Sequence, residues 1–265
     1  PPDLLSEVWE AVRDMAGKAW ALTAAPRSAA LVSEDLATVA PVEAETVTPL
    51  LDATSLAAAL MTRSPLRIFG PGGLSGVKGL KAAQLEDVAA ADLYAVRDMC
   101  WDVLITFQPL HDVAAHELLA PPSAFPWSAL IVEAALMQML ALPEPPVHES
   151  HHLTVLLDLC DLDESVGAAI GLCATILSNH LLELDVDVAE RLAAWLAMHI
   201  SNFSFAWIWE RWAKVADLPR NHPRHRFVRL ALAKTFTLGF HDRVRATVPD
   251  SLEDLIPPPP RATSM

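Results

Sequence analysis

The chain has 265 residues, of which 52% are hydrophobic, and carries a formal net charge of −14. That length can bury a sizeable core, as one large or two small domains. The acid excess argues against binding nucleic acid over the whole surface, and no apolar run reaches the ~20 residues needed to cross a bilayer.

Residues 4–22 predict the first helix. Val8, Trp9, Val12, Met15, Ala16 and Ala19 recur at three-to-four spacing, and Ser6 suits an N-cap. Residues 28–39 and 52–62 are shorter helical candidates, separated by loop around Pro41 to Pro49. Residues 64–79 hold Pro65, Gly70, Pro71, Gly72, Gly73, Gly76 and Gly79, a composition that predicts a linker. Leu80 to Phe107 then allows one or two long helices, closed by Pro109. A turn or short helix over 110–119 ends at Pro121-Pro122.

Trp127 to Leu142 is bounded by Pro126 and Pro143 and predicts a strongly apolar helix, interrupted by Glu133 and Gln138. His148 to Cys160 is the next helix, and Asp163 or Glu164 starts another that runs to about Leu184. Asp187 to Asn202 is amphipathic, with Leu192, Trp195, Leu196, His199 and Ile200 on one stripe. A helix near Phe205 to Ala216 ends at Pro219 and Pro223. Phe227 to Phe240 follows, and a last short helix ends at Pro249.

The fold class is therefore all-α. Helices of this length joined by short loops pack as antiparallel neighbours. Repeated, that unit gives a stack of helical hairpins. No repeat period is evident, so an irregular HEAT- or armadillo-like solenoid fits better than a tetratricopeptide or ankyrin array.

Cys100, Cys160 and Cys173 are odd in number and lie inside predicted apolar helices, which implies reduced, buried thiols. No signal peptide is visible. The chain opens Pro1-Pro2 with no initiator Met and reads as a piece of something longer. Charge is uneven: residues 211–245 hold nine Lys/Arg against Asp217 and Asp242, a balance of +7 in a chain of −14. Such a segment is either a docking face for something acidic or a set of solvated helix faces paired with acidic neighbours.

His148-Glu149-Ser150-His151-His152 satisfies H-E-x-x-H, in which His148 and His152 would share a zinc and Glu149 act as base. Its context argues against that chemistry. His148 follows Pro145-Pro146 and so falls at a helix start, and no H-x-x-G-x-x-H continuation is present; Asp163 or Glu164 is only a loose third ligand. Gly70 to Gly79 lacks the G-K-[ST] of a phosphate loop. Asp161, Asp163 and Glu164 suit helix capping better than calcium binding, because alternating ligands and a central glycine are missing.

The densest aromatic stretch runs Phe203-Ser204-Phe205-Ala206-Trp207-Ile208-Trp209-Glu210-Arg211-Trp212. Such rings either stack nucleotide bases, anchor a protein interface or fill the groove between helices. Trp209 and Trp212 are i and i+3, on one face, and Trp207 lies off it. That split favours packing between neighbours.

At these residues the chain resembles the large subunit of the nuclear cap-binding complex. The resemblance is strongest over 125–260. It rests on Phe125-Pro126, Ile131-Val132-Glu133, Leu142-Pro143-Glu144-Pro145-Pro146, Leu156-Leu157-Asp158-Leu159-Cys160, Ser201-Asn202-Phe203-Ser204-Phe205, Trp207 to Trp212, Arg226-Phe227-Val228-Arg229 and Val248-Pro249. Val8-Trp9 and Pro65-Leu66-Arg67-Ile68-Phe69 match more loosely. Ala206 stands where the family usually has Arg, and Tyr94 is the only tyrosine.

The resemblance implies a right-handed superhelical protein of three helical domains, each like the middle domain of the translation initiation scaffold four-gamma. Residues 1–80 would be the end of a preceding helical region plus linker, 81–260 the middle domain, and 261–265 a tail. It implies no enzyme and no cofactor or metal. The role is that of a nuclear scaffold, able to shuttle to the cytoplasm. It grips a small cap-binding subunit with an RNA-recognition motif and touches capped RNA only indirectly. It supports mRNA processing, splicing, export and nonsense-mediated decay through further factors. Trp207, Arg220, Arg224, Arg226 and Arg229 are the candidate partner-binding residues. A translation or decay scaffold that binds an RNA helicase is the alternative, and a zinc hydrolase a remote one.

Overall fold

The computed structural model describes residues 4–18, 66–70, 72–121 and 127–259. The helices expected over 28–39 and 52–62, and the loop around Pro41 to Pro49, lie outside the described residues. Among the described residues the chain is all helical, with ten α-helices, two 3-10 helices and no strand. It forms two compact units, Pro1–Val147 and His148–Met265. No helix of the described residues is long and apolar enough to cross a membrane.

The first unit holds α1 (Leu4–Gly17), α2 (Gly76–Ala82), α3 (Ala90–Thr106), α4 (His111–Leu119) and α5 (Ser128–Met139). Helix α1 begins before Ser6, so Ser6 lies in its first turn and does not cap it. Helix α5 is the centre: all twelve of its residues are buried. A helix apolar on most of its circumference needs such an enclosed position, and each fully buried Leu or Ile contributes about 1.5–3 kcal/mol. Helix α3 packs on α5, and α1 and α4 pack on α3. Leu93, Val96, Cys100 and Leu104 form the buried stripe of α3.

The stretch expected to be linker is partly built into this core. Ile68 and Phe69 are fully buried, and α2 runs through Gly76 and Gly79. The cause is α5: Glu133 Oε1 accepts from the backbone N–H of Ile68 at 2.8 Å and of Phe69 at 3.0 Å. Arg97 closes the knot, donating from Nε to Glu133 Oε2 at 2.7 Å and from Nη2 to the Phe69 carbonyl at 2.8 Å. A buried charge is tolerated only when paired and fully hydrogen-bonded, and this one is.

The second unit holds α6 (Glu149–Leu162), α7 (Glu164–Asn179), α8 (Val186–Asn202), a 3-10 helix at Trp209–Val215, α9 (Pro223–Thr237), α10 (His241–Arg245) and a second 3-10 helix at Asp250–Leu255. Helix α6 packs on α7 and α8, and α8 on α9; α9 also meets α10 and both 3-10 helices. The stripe Leu192, Trp195, Leu196, His199 and Ile200 is buried throughout.

Caps explain the starts. Asp163 is at once the C-cap of α6 and the N-cap of α7, its Oδ1 accepting from the Ser165 N–H at 2.8 Å. Asp185 caps α8 in the same way at 2.9 Å. Helix α9 begins at Pro223, four residues before the expected start. His222 caps it, and proline suits the first helical position, where its missing N–H costs nothing. The helix expected over Phe205 to Ala216 is a shorter 3-10 turn.

Candidate functional site

The aromatic run is placed by a sharp turn after α8. Ser204 (φ 55°) and Phe205 (φ 63°) both adopt left-handed backbone. That conformation costs about 1–2 kcal/mol for a residue with a Cβ. Two features hold it. The Phe205 N–H donates to the Ile200 carbonyl at 3.0 Å, and the Phe205 ring is buried beneath the Arg243 guanidinium, 5.6 Å from its centroid. Gly239 makes room, since a Cβ there would lie 2.5 Å from Phe205 Cζ.

Beyond the turn, Trp212 is the hub of an aromatic cluster. Trp209 meets it edge-on at 5.7 Å, Phe227 edge-on at 5.9 Å, and Trp207 tilted at 6.3 Å. Such offset and T-shaped pairs are the favoured arrangements. Trp209 and Trp212 are buried, as their i, i+3 spacing predicts. Trp207 is half-buried, and its Nε1 is buried without a hydrogen-bond partner.

Trp207 forms one wall of a shallow pocket of about 280 Å³, counted out to where it opens to solvent. Ala174, Thr175, Ser178 and Asn179, on one face of the last turns of α7, form another. Arg211 and Trp212 come from the 3-10 helix and Arg224 from the first turn of α9. Arg211 Nη1 donates to Thr175 Oγ1 at 2.9 Å, and Arg224 Nη2 donates to Asn179 Oδ1 at 3.2 Å. Thr175 Oγ1 in turn donates to the Gly171 carbonyl at 2.6 Å. Both guanidiniums are thus held by neutral oxygens. Among the described residues neither pairs with a carboxylate.

Of the five candidates from sequence, the pocket joins Trp207 and Arg224. Arg220, Arg226 and Arg229 are exposed and lie outside it. Arg229 and Arg220 act on His225, whose imidazole is held below its ordinary range first by desolvation and then by those two charges. Arg211, Thr175 and Asn179 were not anticipated. Arg211 stood in the aromatic run, but nothing in the sequence marks Thr175 and Asn179, whose role comes from where α7 packs.

The H-E-x-x-H segment is a helix start. His148 is the N-cap of α6, its Nδ1 accepting from the Ser150 N–H at 3.3 Å and lying 2.8 Å from Ser150 Oγ. His152 is fully buried, and burial and then His151 push it down to about 4, opposed by a hydrogen bond to the His148 backbone. Among the described residues no group of three His, Cys, Asp or Glu could hold a metal. Cys100 is buried, and burial pushes its thiol up to about 12. Cys160 is half-buried and pushed up to about 11. Thiols so raised are poor nucleophiles.

Comparison with known proteins bears on residues 87–250, which match the family model described as MIF4G like. Among curated relatives, nuclear cap-binding protein subunit 1 of Arabidopsis thaliana is 27% identical over 265 residues, 97% of this chain and 31% of the relative. The Oryza sativa subsp. japonica protein of the same name is 31% identical over 176 residues, 65% of this chain and 20% of the relative. The Aedes aegypti protein is 32% identical over 154 residues, 57% of this chain and 19% of the relative. The chain thus spans between about a fifth and a third of the length of these relatives.

Proposed function

We propose, because this chain belongs to the MIF4G-like family, that it is a non-catalytic helical scaffold, part of a large subunit of the nuclear cap-binding complex. The observation that carries this reading is the likeness of nearly the whole chain to a protein named nuclear cap-binding protein subunit 1. In this reading the chain contributes to gripping a small cap-binding subunit with an RNA-recognition motif. It works in the nucleus, in messenger-RNA processing, splicing and export, and meets capped RNA through that partner. In this reading the middle helical domain spans 81–260, and Trp207, Arg220, Arg224, Arg226 and Arg229 face partners. Two physical features favour holding over chemistry. Among the described residues His152 is held neutral by burial, and the Cys100 and Cys160 thiols are pushed up, so none of these three is a poised nucleophile or base. Helices packed side by side suit the display of a continuous surface.

Cap-analogue resin tests the proposal. The full-length gene product, co-expressed with a small RNA-recognition-motif cap-binding protein, is expected to be retained on the resin with that partner and to wash through alone. Failure to associate with the small subunit, or retention without it, would overturn the reading. Capture of an RNA helicase with no resin retention would replace it with a translation or decay scaffold.

A further inference from the structure

The pocket at the end of α7 has a surplus of donors. Arg211 and Arg224 are each anchored to a neutral side chain, Thr175 and Asn179. Those two residues are four apart on α7, so their Cβ atoms stand about 5–6 Å from each other on one face. Two guanidiniums anchored to side chains that stand a helical turn apart, neither paired with a carboxylate of the described chain, bring like charges together, which costs repulsion. A negative group set between them would remove that repulsion and gain charge-assisted, forked hydrogen bonds. Beside them stands Trp207, with its buried indole N–H unpaired.

We propose that this pocket receives one acidic side chain, Asp or Glu, of a partner polypeptide, its carboxylate bridging Arg211 and Arg224 and its stem lying against Trp207. This rests on the scaffold reading and names the chemistry of one contact within it. The shape fits: the pocket is shallow and opens to solvent between Trp207, Arg211 and Arg224, which suits the tip of one side chain. Charge fits as well, since the surrounding segment 211–245 is basic in an acidic chain. Single-stranded RNA fits less well. A stacking platform needs open aromatic faces, whereas Trp207 is half-buried and leans on Trp212.

The test is a side-chain NMR titration of the purified 265-residue chain, following arginine Nε–H and tryptophan indole signals. The probes are blocked glutamate (N-acetyl, N-methylamide), its blocked glutamine counterpart, and uridine monophosphate. Blocked glutamate is expected to shift the signals of Arg211, Arg224 and Trp207 saturably, with at least tenfold higher affinity than blocked glutamine. Arg211→Gln and Arg224→Gln are each expected to lose the saturable shift while the remaining spectrum stays unchanged. Lys214→Gln, which removes a nearby charge outside the pocket, is expected to keep it. Absence of saturation, equal response to glutamine, a tighter response to the nucleotide, or equal loss in Lys214→Gln would overturn the proposal. Cap-resin retention is read separately. A failed titration with intact retention removes the pocket alone, and a positive titration without retention removes the scaffold reading.

Discussion

Arg97 and Glu133 stand 36 residues apart in the chain and 2.7 Å apart in the first unit, with Glu133 only 1% exposed. Their pair fastens the 66–70 segment to the core through the two N–H groups and one carbonyl it engages. Glu133→Gln keeps the shape and removes the charge, leaving Arg97 uncompensated in a place water reaches poorly. Breaking a buried pair from one side costs about 3 kcal/mol or more. Urea unfolding is expected to show that loss, and hydrogen exchange to show Ile68 and Phe69 amides opening first. A change under about 1 kcal/mol would mean the pair is ornamental.

Stability is expected to fall as the solution is acidified from neutrality. Burial pushes His152 down to about 4 and His199 down to about 4, from an ordinary 6.5. The unfolded chain therefore binds protons between roughly pH 6.5 and 4 that the folded chain refuses, so stability is lost on going down through that window and levels off below it. His199 stacks on Trp195 at 5.4 Å and lies tilted against Phe203 at 4.7 Å. Thermal midpoints at pH 7.5 and 4.5 should differ less for His199→Leu than for the parent chain. An equal difference would exclude His199 as a source of the slope.

Ser204→Gly is expected to stabilise the protein by about 0.5–1 kcal/mol. Ser204 sits at φ 55° and is exposed. Removing its Cβ relieves the left-handed penalty, and the added freedom of the unfolded chain returns part of it. Ser204→Val should do the reverse. A shift of the urea midpoint in one direction for both variants would show that backbone conformation is not what matters there.

Gly239→Ala is expected to destabilise by about 1–3 kcal/mol, the usual range for overpacking. Its new methyl would stand 2.5 Å from Phe205 Cζ and 3.1 Å from Val244 Cγ2. Because Phe205 precedes Trp207 by two residues, the Trp207 indole resonance should move with it. An unaltered indole signal would uncouple the turn from the pocket.

Much of the helical plan was legible because it is local. The stripe from Leu192 to Ile200 follows the 3.6-residue period, and Asp163 announces the start of α7 by its place before an apolar run. What stayed hidden depends on partners distant in sequence. Glu133 looked only like an interruption in an apolar run, because Arg97 and the Ile68 and Phe69 amides that justify it come from elsewhere. Glycine and proline between 65 and 79 signalled loop, yet the core reaches in and orders part of it. Pro223 read as a stop when it is a start. The aromatic and basic runs mark Trp207 and Arg224; Thr175 and Asn179, which hold the arginines, carry no such mark.

Asp163 serves two helices with a single residue: it ends α6 and opens α7. With no spacer between the two helices, an insertion or deletion at this junction would turn one rod about its axis against the other, whereas the 180–185 connection after α7 has residues to take up such a change.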